Sequence, residues 1–419
     1  MPVWKVRGGN ELHGCLQVQG SKNAVLPIMA ASLVGGGVTR LENCPRLLDV
    51  EASMEILRWL GCGVMQNGNE IVIDSAGMTK NHVPHALMLR MRSSVMYMGA
   101  ILARCGEVRL STPGGCELGT RPIDIHLNAL RELGAEVIEE GGEVFCRARK
   151  LTGAHINLDF PSVGATENVL LAACAAEGET VITNAAREPE IVDLQNFLNA
   201  KGASIRGAGG AEIHIGGFSA KPCAEHRIIP DRIATATYLC AVAAAGGEVL
   251  LLNVAPAHLE TVCVCLKEMG CTVVTGTDSI HLHTDGRLKA GKPIVTRPYP
   301  GFPTDAQALL MAACLRAEGT SVFVENIFEN RYRHVDELRR LGADIRVEGR
   351  VAMVTGVNAL RGAPVVAGDL RGGAALIAAG LAAEGETEVR DSGHVERGYD
   401  DIAGARRALG GDVERLESK

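Results

Sequence analysis

Aromatic residues are scarce in this chain, 3% of 419 residues, yet 47% hydrophobic and 22% charged residues keep it globular, neither disordered nor collagen-like. A positive excess is also missing. The formal net charge of -7 leaves no global field to draw nucleic acid or an anionic membrane. Any anionic ligand must therefore be held by a local cluster of cations. No long apolar run is present: the richest stretch, "TYLCAVAAAGGEVLLLNVAPA", is broken by Gly246, Gly247 and Glu248. The start "MPVWKVRGGN" has no apolar core of a signal peptide, so the expectation is a soluble, cytoplasmic protein off the membrane. None of the thirteen cysteines forms a CxxC pair, and the CxC of Cys263 and Cys265 has no histidine cluster to complete a zinc site. Most cysteines lie in apolar patterns and read as small buried hydrophobes in a reducing compartment. No GxGxxG loop opens a helix, and neither GxxxxGK[ST] nor HExxH occurs.

What the chain does have is a repeat. An alanine-rich helix runs through a glycine turn into a short apolar strand six times, from "NAVLPIMAASLVGGGVTRLEN" to "GGAALIAAGLAAEGETEVRD". A loop and a second, amphipathic helix follow each strand. The second helices stop at Gly61, Gly134, Gly202, Gly270, Gly342 and Gly410, spaced 68 to 73 residues apart. Glycine at such a stop supplies the left-handed residue that ends a helix. Five units then show two strands around a polar turn, as in "ADIRVEGRVAMVTG". This periodicity predicts an α/β protein, and units of this length fit two domains of three better than a solenoid. The first helices are apolar nearly throughout and are expected inside.

Two slots of the repeat hold the unusual chemistry. At the start of the buried helix stand "SKNA", "MRSS", "SVGAT", "PDRIAT", "PTDA" and "DLRGG", with cations at Lys22, Arg92, Arg232 and Arg371. A helix start presents free N–H groups and partial positive charge, which suits phosphates and carboxylates. Any one of these cations alone reads as an ordinary surface charge. The second slot, the loop after the first strand, supplies Cys116, Arg121, Asp124, Arg187, Glu188, Glu190, Arg331, His334, His394 and Arg397. Arg121, Arg331 and Arg397, in equivalent loops, have the form of bidentate clamps for phosphate or carboxylate. The acidic residues that end these loops, Asp49 among them, read as helix-start signals. Asp305 is the one carboxylate within "PTDAQ", and reads either as a general base or as a capping aspartate.

The motifs "GSKNA" (20–24), "PGGCELGTRPIDIH" (113–126), "SVGAT" (162–166), "AAREPEIVD" (185–193), "PTDAQ" (303–307), "FENRYRHVDEL" (328–338) and "RGYD" (397–400) span the chain in order. Together they resemble the enolpyruvyl transferase family, in its branch that acts on UDP-N-acetylglucosamine. That resemblance implies two inside-out α/β barrels of three repeated units each, with the reaction in the cleft between them. One domain would cover 22–229, and the other 1–21 with 230–419. It also implies phosphoenolpyruvate and UDP-N-acetylglucosamine as substrates, a monomer, and no metal or cofactor. Cys116 would protonate the methylene carbon or add covalently to the enolpyruvate unit, and would be the site alkylated by fosfomycin. Asp305 would take the sugar hydroxyl proton. Lys22, Arg92, Arg121, Arg331, Arg371 and Arg397 would hold the anions of phosphoenolpyruvate, with Asn23 helping to hold the intermediate. Lys22 and Arg397 would also act in catalysis. Arg92, Arg121, Pro122, Ile123, Asp124, Ile125, Ser162, Val163, Gly164, Asp305 and Ile327 would line the sugar-nucleotide site. His394, Glu188, Glu190 and Asp231 stand as second-rank candidates.

Two departures from the family pattern stand out. The glycines after Arg371 in "DLRGG" are expected to loosen that helix start, and Phe160 stands where some members carry a lysine. The glycines at 114, 115 and 119 leave the Cys116 loop free to close over bound sugar nucleotide. Two rival readings remain open in the sequence: transfer to shikimate 3-phosphate, which the cysteine loop and "REPEIVD" oppose, and a silent paralogue that binds sugar nucleotide and regulates a partner.

Overall fold

The computed structural model describes residues 2–111 and 123–417. These form two compact units, one built from 20–111 with 123–229, the other from 2–19 with 230–417. Each holds three four-stranded sheets of one topology. In the sheet of His82–Val83, Glu107–Ser111, Glu143–Arg147 and Glu136–Glu140, the first two strands run parallel, with Val83 opposite Leu110. The other pairings are antiparallel. Parallel neighbours need a crossover, which the buried helix of the repeat supplies, whereas the last two strands need only a tight turn.

Among the described residues the sixth repeat has only one strand, Asp412–Glu417, after its second helix. The amino-terminal strand Pro2–Arg7 fills the place of another, pairing antiparallel with Glu386–Asp391 on one side and Asp412–Glu417 on the other. This is why only five units show the strand pair in sequence. Entering strands are exchanged as well. Leu12–Gln17 lies parallel to Gly247–Leu252 in the carboxy-terminal unit, and Cys223–Arg227 lies parallel to Val38–Glu42 in the other.

The six first helices are Lys22–Ala31, Tyr97–Cys105, Val163–Ala173, Arg232–Ala245, Thr304–Cys314 and Leu370–Leu381. Helices apolar all round belong in a core, and these are: every residue from Ile233 to Ala244 is buried. The amphipathic second helices cover the sheets and stop as expected, with φ between 79° and 109° at all six glycines. Three of the strands end on an asparagine in the left-handed region, Asn43, Asn184 and Asn253. Each donates from Nδ2 to a carbonyl beside the parallel edge strand, of Ile228, Leu158 and Val18 respectively, at 2.7–2.8 Å. The bond fixes where each functional loop begins. Of the twelve described cysteines, all free, eight are buried as expected, while Cys15, Cys105 and Cys223 are exposed. No helix among the described residues is long and apolar enough to cross a membrane.

Candidate active site

In the carboxy-terminal unit the site is built on the starts of two buried helices. Thr304–Cys314 begins without a side-chain cap, and the Asp305 carboxylate turns instead to two arginines. Arg331 Nη2 donates to Asp305 Oδ1 at 3.1 Å, and Arg371 Nε donates to Oδ2 at 3.2 Å. Both arginines are 2% exposed, whereas the Asp305 side chain keeps 31% of its surface. The guanidinium groups are thus fixed from behind while the carboxylate faces outward. Two buried cations flanking one half-buried carboxylate are an arrangement that can stabilise a polyanion.

Each arginine is held by further groups. Arg331 donates from Nε and Nη2 to the Thr304 carbonyl at 3.2 and 3.0 Å. Buried Glu325 fixes the same corner: Oε2 accepts from the Thr304 hydroxyl, and Oε1 from the Ile327 and Phe328 amides. It thereby shapes the turn that presents half-buried Ile327. Arg371 Nη1 donates to the Tyr399 hydroxyl at 3.1 Å. Thr237 spends its hydrogen on the Ile233 carbonyl, so Tyr399 must donate to Thr237 Oγ1 at 2.8 Å, which leaves a Tyr399 lone pair for Arg371. Burial alone would lower the Arg371 guanidinium, but Tyr399, Asp305 and Asp231 together hold it above its ordinary value. Its charge is secure.

The two glycines of "DLRGG" do not loosen the helix start. Asp369 caps Leu370–Leu381 by accepting from the Arg371 and Gly372 amides at 3.0 Å each. A β-carbon at Gly372 would lie 2.7 Å from Asp369 Oδ2 and 3.0 Å from His334 Cβ, and one at Gly373 would lie 2.8 Å from Val395. The glycines are there for close approach. His334 donates from Nδ1 to the Arg331 carbonyl at 3.1 Å, and its Nε2 is buried without a hydrogen-bond partner. Burial, helped by Arg331 and opposed by Asp369, lowers this imidazole to about 4, so it is neutral. Arg397 ends the short turn Val395–Arg397 and is half-buried. Gln19 fixes the turn's far side, donating to the Gly398 carbonyl and accepting from the Asp400 amide.

In the other unit Lys22 opens the Lys22–Ala31 helix and is 9% exposed. Its Nζ lies 2.6 Å from Asp49 Oδ2, on the first turn of Leu48–Leu60, with Asp49 1% exposed. Asp49 is therefore more than a helix-start signal. Asn23 beside it is half-buried. Arg92 starts the short turn Arg92–Met96, and Ser162 caps Val163–Ala173 by accepting from the Ala165 amide at 3.3 Å. Gly164 lies against the His126 ring, where a β-carbon would sit 2.9 Å from Cε1. Asn168 takes the Gly99 amide on Oδ1, so its Nδ2 must be the donor to His126 Nδ1 at 2.8 Å. The proton of neutral His126 therefore sits on Nε2, on the Gly164 side. Burial and then Arg92 lower His126 to about 4, against the pull of Asp124. Ile123, Asp124 and Ile125 lead into the same helix, with Asp124 exposed.

Glu188 stands at the cap of Pro189–Ala200 and Glu190 in its first turn. Both bear on Glu167, whose carboxyl is raised well above its ordinary range by burial, then Glu190, then Glu188. Asp231 caps Arg232–Ala245 through the Ile233 and Ala234 amides, and His394 Nε2 lies 2.9 Å from Ser392 Oγ. Both second-rank candidates thus have local work. Cys116, Arg121 and Pro122 lie outside the described residues. Among the described residues no group of three His, Cys, Asp or Glu side chains is arranged to hold a metal. No role is read from the sequence for Asp49, Glu325, Tyr399, Thr237 or Gln19; Asp49 left a signal as the acidic end of a loop, and Tyr399 as part of "RGYD".

The fold is α/β, and its helix starts present fixed cations and one carboxylate. Residues 6–405 match the family model of EPSP synthase (3-phosphoshikimate 1-carboxyvinyltransferase). The chain is 49% identical over 416 residues to UDP-N-acetylglucosamine 1-carboxyvinyltransferase 2 of Caldanaerobacter subterraneus subsp. tengcongensis, covering 99% of this chain and 100% of that one. It is 47% identical to the UDP-N-acetylglucosamine 1-carboxyvinyltransferase of Halothermothrix orenii, covering all of both. Among solved structures it resembles the enolpyruvyl transferase NikO from Streptomyces tendae, with TM-score 0.88 and 26% identity over 100% of this chain and 99% of that one. EPSP synthase from Acinetobacter baumannii, at 20% identity and TM-score 0.73 over the full length of both chains, shares the fold. The chain belongs to the enolpyruvyl transferase family, among its UDP-N-acetylglucosamine 1-carboxyvinyltransferases.

Proposed function

We propose that this protein transfers the enolpyruvyl group of phosphoenolpyruvate to the 3-hydroxyl of UDP-N-acetylglucosamine and releases phosphate, the committing step of peptidoglycan precursor synthesis. The observation that carries the reading is Asp305 held between buried Arg331 and Arg371. The full-length similarity to UDP-N-acetylglucosamine 1-carboxyvinyltransferases supports the choice of acceptor.

In this reading Asp305 takes the proton of the sugar hydroxyl, whose oxygen bonds to the enol carbon of phosphoenolpyruvate. Cys116 gives a proton to the methylene carbon in the same addition. Loss of a proton from the new methyl group then restores the double bond as the carbon–oxygen bond to phosphate breaks. Lys22, Arg92, Arg121, Arg331, Arg371 and Arg397 bind the carboxylate and phosphate. Fixed guanidinium groups need no reorganisation when charge develops, and this is their catalytic value. Asn23 holds the tetrahedral intermediate. Pro122, Ile123, Asp124, Ile125, Ser162, Val163, Gly164 and Ile327 line the sugar nucleotide. The domains are those of residues 22–229 and of 1–21 with 230–419, the protein acts in the cytoplasm as a monomer, and fosfomycin alkylates Cys116.

Mass spectrometry of the sugar nucleotide after incubation with phosphoenolpyruvate tests the reading. An enolpyruvyl adduct is expected with the untreated protein and none after fosfomycin or with Cys116→Ser. Undiminished adduct in both of those arms removes Cys116 from the mechanism, and no adduct in any arm removes the reaction.

A further inference from the structure

The second helix of each repeat turns one residue, four places before its stop glycine, fully into the core. In five repeats that residue is leucine: Leu57, Leu130, Leu198, Leu266 and Leu338, each with 0% of its surface exposed. In the sixth it is Arg406, also 0% exposed. Ile402, Ala403 and Leu409 share its buried face, so Arg406 occupies the apolar stripe and not the flank of the helix.

Among the described residues no hydrogen-bond acceptor answers this charge. Nε, Nη1 and Nη2 of Arg406 are all buried with no hydrogen-bond partner. Its guanidinium carbon lies 5.4 Å from the centre of the Tyr238 ring. The groups that bear on it are Tyr238, Tyr399 and Cys240, with no carboxylate among them. Burial lowers it to about 10, so it remains a cation at neutral pH. Contrast Lys201, the residue just before the stop glycine of the third repeat, which is 1% exposed. There the fold supplies acceptors, with Nζ donating to the Ser32 and Gly36 carbonyls at 2.9 and 3.0 Å. A buried cation with five N–H donors and no acceptor is the arrangement that folded proteins avoid unless a ligand completes it.

We propose that Arg406 is the centre of a buried binding site for a small monovalent inorganic anion of the chloride class. A single cation sets the charge of the ligand, and the complete burial of Arg406 restricts it to a small one. Aromatic and aliphatic walls favour a weakly hydrated ion over sulfate or phosphate. The site does not depend on which substrates the protein turns over.

Thermal unfolding of the full chain tests this, with gluconate exchanged for chloride or bromide at constant ionic strength. The midpoint is expected to rise saturably, by about 2–4 °C, in the wild type and not in Arg406→Met. Crystals of the wild type soaked in bromide are expected to show an anomalous peak within hydrogen-bonding distance of Arg406, a readout that stands even if the variant fails to fold. Equal halide dependence in the two proteins, or no bromide at Arg406, overturns the proposal.

Discussion

Arg371 Nε stands 3.2 Å from Asp305 Oδ2, and the two residues come from the first turns of different buried helices. Because Arg331 takes the other oxygen, the carboxylate has a fixed direction before any substrate arrives. Asp305→Asn keeps the shape and removes the proposed base. Turnover is expected to fall by about 10²–10⁴-fold, with little change in affinity for the sugar nucleotide. Phosphate-release kinetics and a binding titration check this, and near-normal turnover assigns Asp305 to structure alone.

Asp49 holds Lys22 in a buried pair, so its loss affects both stability and binding. Asp49→Ala removes this partner from buried Lys22, at a cost of about 3–5 kcal/mol. Urea unfolding reports that loss, and KM for phosphoenolpyruvate is expected to rise because Lys22 no longer has one position. Unchanged stability and KM contradict the pairing.

Tyr399 is a positioning residue. Tyr399→Phe leaves Arg371 Nη1 without that acceptor, and loss of a hydrogen bond to a charged group costs about 1.5–3 kcal/mol. We expect kcat/KM to fall about ten- to a hundredfold, and Thr237→Val to reproduce part of the effect through the same chain. An effect of Thr237→Val without one of Tyr399→Phe contradicts the direction of the bonds.

The repeat made the fold readable, because helix stops, glycine turns and strand pairs recur along the chain at nearly fixed spacing. It also pointed to Asp305 in "PTDAQ", and to Arg331 and Arg371, whose slots carry cations in several of the repeats. What the sequence hid are partners supplied from far along the chain. Tyr399 meets Thr237 across 162 residues, and the amino-terminal strand completes a sheet with the last one. Asp49 looks in sequence like any helix-opening aspartate, because nothing local says that Lys22 will be buried against it. The role of the glycines at 372 and 373 is hidden for the same reason: the atoms that exclude a side chain there belong partly to His334 and Val395.

The buried imidazoles set a pH dependence. His126 and His334 both fall from 6.5 to about 4 on folding, so between those values the unfolded chain binds protons that the folded one refuses. Their neutral forms support the fold fully above pH 6.5, and stability is lost as pH falls from there towards 4. The raised Glu167 carboxyl works in the opposite sense, since its contribution is present below its ordinary value of 4.5 and declines at higher pH. Urea midpoints across this range are expected to drop on acidification, and less steeply in His126→Gln. A slope unchanged by that substitution contradicts the neutral assignment.

The most direct measurement is phosphate release from phosphoenolpyruvate by the purified protein with no acceptor, with UDP-N-acetylglucosamine, and with shikimate 3-phosphate. The account predicts release with UDP-N-acetylglucosamine alone. Release with shikimate 3-phosphate instead, or none with either acceptor, contradicts it.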